Sequence, residues 1–331
     1  MNQDDMTLQG VPPGFAGTGF DRAADVASGR AVPLGAGDGL DAHTRRDLAR
    51  RERDIADKYH AIGQTQMVPY VLGTIAGFAL WVSFFPLTIL GLVPLPLAFF
   101  VSTLLMSGCW IVGHEAMHSG IGAKGSKLRF WNEIVGVLTM IPLMFPFSIA
   151  KITHLQHHRF VNDPLRDPDY PDAAPTLFKA IVKIWLNRQP GKDNQVHHIR
   201  RIIVEDIGTP GAKAALRHLL LAQLAGHLFL IGMALSGYAI EVALVWWLPR
   251  WIALIHIHLL FGWEPHSPHI GGNRYKQARI YRSVLGSWGA MGVEHHLVHH
   301  LHPHIPIHLT AAAYRELKPI LQARGVDCSA Q

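Results

Sequence analysis

Two long windows of this chain carry almost no charge, and they constrain the fold more than any other feature. Residues 59–123 contain no Lys or Arg and a single acid, Glu115. Residues 218–262 contain only Arg250 and Glu241 among the charged types. One transmembrane helix needs about 20 apolar residues, so each window is long enough for a hairpin of two crossings. The pattern predicts an all-α integral membrane protein with four transmembrane helices.

The crossings are predicted in the most apolar parts of these windows: Gln66–Phe85, Leu92–Ile111, Leu219–Ser236 and Val242–Phe261. Another apolar stretch, Ile134–Ile149, is shorter and contains two prolines. Proline removes a backbone donor and interrupts a helix, so we predict that this stretch is re-entrant or interfacial. The predicted fold is two transmembrane hairpins, with the remaining chain forming a helical cap.

The basic residues predict on which side of the membrane this cap lies. Lys and Arg concentrate in four blocks, 44–58, 124–129, 151–217 and 263–331. Four crossings place every block on one side, whereas the two short hairpin loops contain no Lys or Arg. Because cytoplasmic loops are enriched in these residues, both termini and the cap are expected on the cytoplasmic side of the inner membrane. The net charge of +6 then reflects topology, and no nucleic acid partner is expected.

The N-terminal region differs in composition from the rest. Residues 1–42 are rich in Gly, Ala and Asp, include three prolines, and lack the apolar core of a secretory signal. We predict a disordered tail there, followed by one membrane domain over 43–331. Thr44 and Asp47 resemble a capping box and predict an amphipathic helix that continues to about Tyr59.

Histidine is the residue type that indicates function. The chain has 22 histidines against 24 Asp plus Glu, and eight of them form three clusters at helical spacing. These are His114 and His118; His154, His157 and His158; and His296, His299 and His300. Residues three or four apart share one face of a helix. Each cluster follows an apolar segment on the predicted cytoplasmic side, so eight imidazoles would lie at one depth.

Eight imidazoles are too many for one metal ion and suffice for two. Imidazole binds Fe, Zn, Cu and Ni. A zinc pair would hydrolyse a bond, whereas an iron pair would activate O2. The iron pair also accounts for the membrane location, because oxidation of a lipid C–H bond requires a substrate delivered from the bilayer. Ionisable groups at a membrane are costly and usually functional.

Carboxylates near the clusters have two possible roles. Metal-bound histidines commonly donate their second N–H to a carboxylate, which fixes the tautomer. Asp163, Asp167, Asp169 and Glu115 are candidates for this role. The Asn-Asp-Pro and Asp-Pro-Asp sequences around the three aspartates are equally typical of turns.

Two other classes of protein use histidine-rich membrane sequences. His114-Glu115-Ala116-Met117-His118 fits the H-E-x-x-H signature of zinc proteases, with Glu115 as general base. That hypothesis needs one further ligand and leaves six clustered histidines without a role. A metal transporter should bind its ion near the middle of the membrane, whereas these clusters lie at helix ends on one side.

The pattern H-x3-H, H-x2-H-H, H-x2-H-H around two apolar hairpins resembles the membrane fatty acid desaturase superfamily. That superfamily contains acyl desaturases, fatty acid hydroxylases, and carotenoid hydroxylases and ketolases. The resemblance covers residues 50–320. It includes HLQHHRFVNDPLRDPDY at 154–170, residues 263–282, and EHHLVHHLHPHIP at 294–306. These segments are similar to cyanobacterial-type β-carotene hydroxylases and related bacterial desaturases, although Glu294 stands where many members have Asn or Gln.

The resemblance implies a non-haem di-iron centre with all eight clustered histidines as ligands, and a further ligand at His258 or His266. It implies O2 as co-substrate and a lipid substrate, which is a fatty acyl chain or a carotenoid. The chain has no flavin or dinucleotide fingerprint. Electrons are therefore expected from a partner such as a ferredoxin or a cytochrome with its reductase. Arg250 and Glu241 are expected to pair with each other or to line a headgroup site.

Overall fold

The computed structural model describes residues 39–123, 125–189, 191, 194–269, 273–284 and 286–330. These residues form helices and no strand, as expected for an all-α fold. Nearly all of the predicted disordered tail, residues 1–38, lies outside the described residues. The chain divides into two units. The histidine-rich unit contains residues up to Ala61, Ile152–Ala214 and Phe261–Gln331, and the span unit contains Ile62–Lys151 and Ala215–Leu260.

Twelve helices are numbered along the described chain. The first five are α1 (Ala42–Gln64), α2 (Met67–Ile89), α3 (Leu95–Met117), α4 (Arg129–Met140) and α5 (Phe147–Phe160). Next come α6 (Leu177–Asn187), α7 (Gln195–Arg201), α8 (Pro210–Leu235) and α9 (Ala239–Trp263). The last three are α10 (Gly286–Gly289), α11 (His296–Leu301) and α12 (Ile307–Ala323). Helix α7 continues as a π-helix over Ile202–Ile207, and α9 contains π segments at Ala243–Trp247 and His258–Trp263.

Four of the described helices are long and apolar enough to cross a membrane: α2, α3, α8 and α9. They form two hairpins, which confirms the predicted spans with ends shifted by one to nine residues, the largest shift being the start of the third span at Pro210 instead of Leu219. Their most apolar windows are 22%, 22%, 11% and 56% buried, respectively. The first three spans therefore expose large apolar side chains, such as Leu72, Phe100 and Leu221. A surface this apolar is suited to lipid, whereas α9 lies largely inside the protein.

Close helix contacts in the span unit depend on glycine. A Cβ atom on Gly113 of α3 would lie 2.6 Å from Thr139 Oγ1 of α4. A Cβ on Gly136 of α4 would lie 2.5 Å from the Phe147 ring at the start of α5. Real Cβ contacts are longer than this, so larger residues at either position would push the helices apart. Helix α4 is thus fixed against both α3 and α5.

The proline-containing stretch between α4 and α5 is a turn at residues 141–146 rather than a continuous helix. Met144 has a φ of 55°, in the left-handed region. The indole Nε1 of Trp246 donates to the Pro142 carbonyl at 2.7 Å. Backbone groups that are free of helix bonds need such partners at membrane depth, because lipid supplies none.

Two more span residues bind the same turn. Arg250 Nε donates to the Leu143 carbonyl at 2.9 Å, and Gln223 Nε2 donates to the Met144 carbonyl at 2.6 Å. Arg250 lies near the middle of α9 and Gln223 near the middle of α8. The turn therefore reaches mid-span depth, which favours the re-entrant over the interfacial interpretation. The two sequence-based alternatives for Arg250 did not include this role.

Replacing Arg250 by leucine is expected to destabilise the protein. The Leu143 carbonyl would lose its donor, and an unsatisfied buried polar group costs about 1–3 kcal/mol. Thermal melting in lipid nanodiscs measures the change. Arg217→Leu is the matched control, since Arg217 is exposed on α8 and its loss should leave melting nearly unchanged. Equal melting temperatures for the two variants would contradict the proposed role of Arg250.

The N-terminal helix begins with a different cap from the predicted one. The Asp41 carboxylate accepts hydrogen bonds from the backbone N–H groups of His43 at 2.8 Å and Thr44 at 3.0 Å. Asp41 is therefore the N-cap of α1, and the prediction of a Thr44 cap is wrong. An aspartate directly before a helix can accept from two of the first backbone amides, which have no partners within the helix. Helix α1 also continues five residues beyond Tyr59.

A buried carboxylate joins α1 to the C-terminal part of the histidine-rich unit. Glu52 Oε1 accepts from Arg274 at 2.8 Å and lies 3.0 Å from His302 Nε2. Glu52 Oε2 accepts from the Tyr275 hydroxyl at 2.8 Å. Glu52 is 2% exposed, so these contacts take the place of the water molecules that would hydrate its carboxylate. We call these four residues the Glu52 network.

Candidate metal centre

The structure places the second and third histidine clusters on helices, as predicted. His154, His157 and His158 lie on α5, and His296, His299 and His300 lie on α11. The first cluster lies in the span unit, with His114 in the last turn of α3 and His118 directly after it. The His114 and His118 ring centroids are 5.0 Å apart. Metal binding by this pair stays a prediction.

Four buried or nearly buried histidines in the histidine-rich unit point their rings at one another: His157, His266, His296 and His300. We call them the four-histidine group. Each offers one nitrogen, and these nitrogens lie within 4.8 Å of one another. The Nε2 atoms of His157 and His266 are 3.2 Å apart, and those of His296 and His300 are 3.1 Å apart.

Three other histidines form an adjoining set, the three-histidine group: His154, His158 and His299. Here Nε2 of His158 is 3.1 Å from that of His154 and 3.0 Å from that of His299. The rings of His158 and His300 stack with centroids 4.2 Å apart, so the two groups adjoin. Each group combines residues from both clusters, and His157 is separated from its two neighbours on α5.

The hydrogen bonds made by the Nδ1 atoms show what the Nε2 atoms of the same rings can bind. His157 Nδ1 donates to Asp167 Oδ1 at 2.8 Å, and His266 Nδ1 donates to the Gln277 carbonyl at 2.9 Å. In a neutral ring, donation from Nδ1 leaves a lone pair on Nε2. The Nε2 atoms of His157 and His266 face each other at 3.2 Å, so a cation between them, either a proton or a metal ion, removes the repulsion of their lone pairs. The donor set therefore fits a metal ion.

The spacing of the nitrogens supports the same conclusion. Histidine nitrogens bind a divalent ion at about 2.1 Å, so neighbouring ligands at right angles lie about 3.0 Å apart. The four Nε2 separations of 3.0–3.2 Å match this value. The seven histidines thus form two adjoining groups in the histidine-rich unit, with nitrogens at the spacing of metal ligands.

Burial keeps most of these rings in the form that binds metal. It lowers the pKa of His154, His266, His296 and His300 well below the usual histidine value. A neutral imidazole is the form that ligates a metal ion.

His157 differs from these rings because of its acidic neighbours. Burial alone lowers its pKa, but the Asp167 carboxylate, with a smaller contribution from Asp169, raises it to about 9. The same carboxylate would stabilise the positive charge of a metal ion bound to this ring.

The three candidate aspartates have different roles. Asp167 is buried and holds His157, and its Oδ2 also accepts from the Asn162 backbone N–H at 2.8 Å. Asp169 Oδ2 lies 3.7 Å from His157 Nδ1. Asp163 instead accepts from the Leu165 N–H at 2.9 Å and forms the turn that was the alternative interpretation. The hydrogen bond that the orienting role requires is thus observed for Asp167, and the corresponding role of Glu115 stays a prediction.

Asp167→Asn is expected to lower activity and metal affinity about 10–100-fold, the usual effect of removing a carboxylate that orients a metal-bound histidine. Activity assays and metal titration of the purified protein measure both quantities. Asp163→Asn is the matched control and should retain most activity, because Asp163 forms a partly exposed turn. Equal losses in both variants would mean that Asp167 only supports the loop.

The sequence left open whether His258 or His266 is the further ligand. The structure places His266 in the four-histidine group. His258 lies near the end of the predicted fourth span and His266 follows it, so their positions in the sequence could not decide between them. The deciding feature is the bond from His266 Nδ1 to the Gln277 carbonyl, and a backbone acceptor leaves no signal in the sequence.

The fold and these groups define a helical membrane protein with a histidine-lined site suited to metal ions. The family model for fatty acid desaturase matches residues 90–330. The chain therefore belongs to the fatty acid desaturase family, a family of oxidoreductases.

Several curated relatives are also desaturases. A chloroplastic omega-6 fatty acid desaturase of Brassica napus is 24% identical over 252 residues, which cover 68% of this chain and 54% of that protein. Dihydrorhizobitoxine desaturase of Bradyrhizobium elkanii is 24% identical over 259 residues, or 66% of each chain. The sn-1 oleoyl-lipid 12-desaturase of a Picosynechococcus strain is 32% identical over 103 residues, or 28% of each. The chain spans about half the length of the chloroplastic relative.

Proposed function

We propose that this protein is a membrane desaturase that uses two iron ions and O2 to introduce a double bond into a fatty acyl chain. The four-histidine group carries this proposal. It supplies four nitrogens within 4.8 Å of one another for one ion, and the adjoining three-histidine group offers ligands for a second. Family membership and the names of the relatives favour acyl desaturation over hydroxylation.

In this proposal His157, His266, His296 and His300 hold one iron, and His154, His158 and His299 bind the other. The resemblance adds His114 and His118 to the ligand set. The bound ions would supply the reactivity towards O2 and an unactivated C–H bond. The protein fixes the ring tautomers through Asp167 and the Gln277 carbonyl. It also excludes bulk water by burying the rings, and an acyl substrate would come from the bilayer.

Electrons would come from a ferredoxin or a cytochrome with its reductase. Basic side chains near the second cluster, Arg159 and Arg166, would steer an acidic carrier electrostatically. The distribution of Lys and Arg supports placing both termini and this face in the cytoplasm, on the inner membrane.

A zinc protease built on His114-Glu115-x-x-His118 is the weaker alternative. The four-histidine group contains neither histidine of that motif. A single zinc ion at the motif would leave four converging imidazoles, and the orienting bond from Asp167, without a function.

Product analysis in a bacterium that accumulates β-carotene tests the proposal. The protein would be expressed with iron and a compatible reductase system, and total fatty acids and pigments would be compared with an empty-vector strain. We expect new unsaturated acyl chains and unchanged pigments. An oxygenated pigment with unchanged fatty acids would contradict acyl desaturation. Unchanged fatty acids together with unchanged pigments would also contradict it, provided that the expressed protein carries iron.

A further inference from the structure

Helix α6 of the histidine-rich unit is amphipathic and exposes its apolar face. The exposed apolar side chains are Phe178 (75%), Val182 (39%), Trp185 (42%) and Leu186 (59%). Positions four, seven and eight residues apart share one face of a helix. The opposite face buries Ala180 and Ile184 completely, so α6 is anchored to its unit by one side and presents aromatic and aliphatic side chains on the other.

The exposed surface of α6 is also positively charged. Lys179 and Lys183 are exposed beside the apolar face, and the helix contains no acidic residue. Lys183 Nζ donates to the Ala173 carbonyl at 2.7 Å. A helix with aromatic and aliphatic side chains on one face and lysines at its edge is complementary to an anionic lipid surface.

The connection to the fourth span indicates the depth at which α6 begins. Trp263 is the last residue of the candidate span α9. Its Nε1 donates to the Ala174 carbonyl at 2.7 Å, and the bond is buried. Ala174 precedes the first residue of α6 by only three positions. Span ends lie near the membrane surface, where tryptophan is enriched, so α6 starts close to that level.

We propose that α6 lies in the membrane interface, with Phe178, Val182, Trp185 and Leu186 among the lipid acyl chains and its lysines at the headgroups. The bilayer is favoured as the partner because the chain carries four candidate spans. Because the spans tether α6 to the membrane, its effective concentration at the lipid surface is high, and a modest intrinsic affinity suffices to hold it there. This membrane contact is separate from the spans and from the proposed iron chemistry.

The contact has a consequence for the metal centre, because α6 is fixed to the loop that orients His157. Asn187 Nδ2 donates to the Pro171 carbonyl at 2.7 Å. Arg188 forms a buried ion pair with Asp172 at 2.9 Å. The same loop contains Asp167, the partner of His157. Lipid contact at α6 would therefore hold this loop at the membrane surface.

Site-directed spin labelling tests the proposal. Single cysteines would replace Phe178, Val182 and Trp185 in a chain carrying Cys109→Ala and Cys328→Ala. The labelled proteins would be reconstituted in nanodiscs that contain anionic lipid. Collision rates with O2, which partitions into lipid, and with a water-soluble nickel complex would be measured. Gln322→Cys is the matched control, because Gln322 is exposed on α12 of the same unit.

We expect labels on α6 to collide more often with O2 than with the nickel complex, and the label at Gln322 to show the reverse. Nickel collisions on α6 equal to those at Gln322 would place the helix in water. Labels on α6 shielded from both reagents would indicate a protein partner or a second copy of this chain. Either result would overturn the proposal. Three exposed positions are used so that misfolding of one variant does not decide the outcome.

Discussion

Replacing His296 by alanine is expected to lower activity at least about 100-fold, since loss of a group that merely orients a metal ligand already costs about 10–100-fold. His296 is 2% exposed, and its Nε2 lies 3.1 Å from that of His300. Its removal deletes one of four converging nitrogens, and the smaller side chain leaves a polar cavity. Product yield and the iron content of the purified protein measure the two consequences.

His197→Ala is the control for this variant. His197 is exposed on α7 and belongs to neither histidine group. The His197→Ala variant should keep full activity and iron content. This result would show that the effect of His296→Ala comes from losing a ligand and not from losing any histidine. Full activity of His296→Ala would contradict the assignment of the four-histidine group.

Removal of the Glu52 carboxylate is expected to have the largest effect on stability. Although burial raises the pKa of Glu52, the bond with His302 and the charge of Arg274 lower it to about 2, so the group is ionised. Glu52→Ala would leave Arg274 and His302 facing each other without their shared acceptor. Breaking a buried ion pair in this way costs about 3–5 kcal/mol. Thermal melting of the purified protein measures the loss.

Glu316→Ala is a closely matched control. Glu316 also accepts from one cation and one tyrosine, with Lys58 Nζ at 2.6 Å and the Tyr59 hydroxyl at 2.7 Å. Its side chain is 39% exposed, against 3% for Glu52. Water replaces exposed partners readily, so this variant should melt nearly as the unchanged protein does. Equal destabilisation by both changes would contradict the importance of burial at Glu52.

The spans and the histidine helices could be predicted because both depend on local sequence. Residues 59–123 without Lys or Arg leave few options besides membrane crossing, and histidines three or four apart share a helix face in any fold. Pro142 and Pro146 likewise marked the interruption between α4 and α5. Predicting these features requires no knowledge of contacts between distant segments of the chain.

The features that could not be predicted depend on contacts between distant segments. The separation of His157 from His154 and His158 follows from Asp167 on one side and His266 on the other. The role of Arg250 depends on a backbone carbonyl 107 residues away. Glu52 lies on a helix that the sequence identified only as a lead-in to the first span, and its partners are more than 220 residues distant.

The most direct test of the account is the metal content of the purified protein, measured by elemental analysis together with His300→Ala and His158→Ala variants. We expect two irons per chain in the unchanged protein, with each variant losing iron because each changes one of the two histidine groups. Zinc in place of iron, a single ion per chain, or full iron content in both variants would contradict a di-iron desaturase built on these groups.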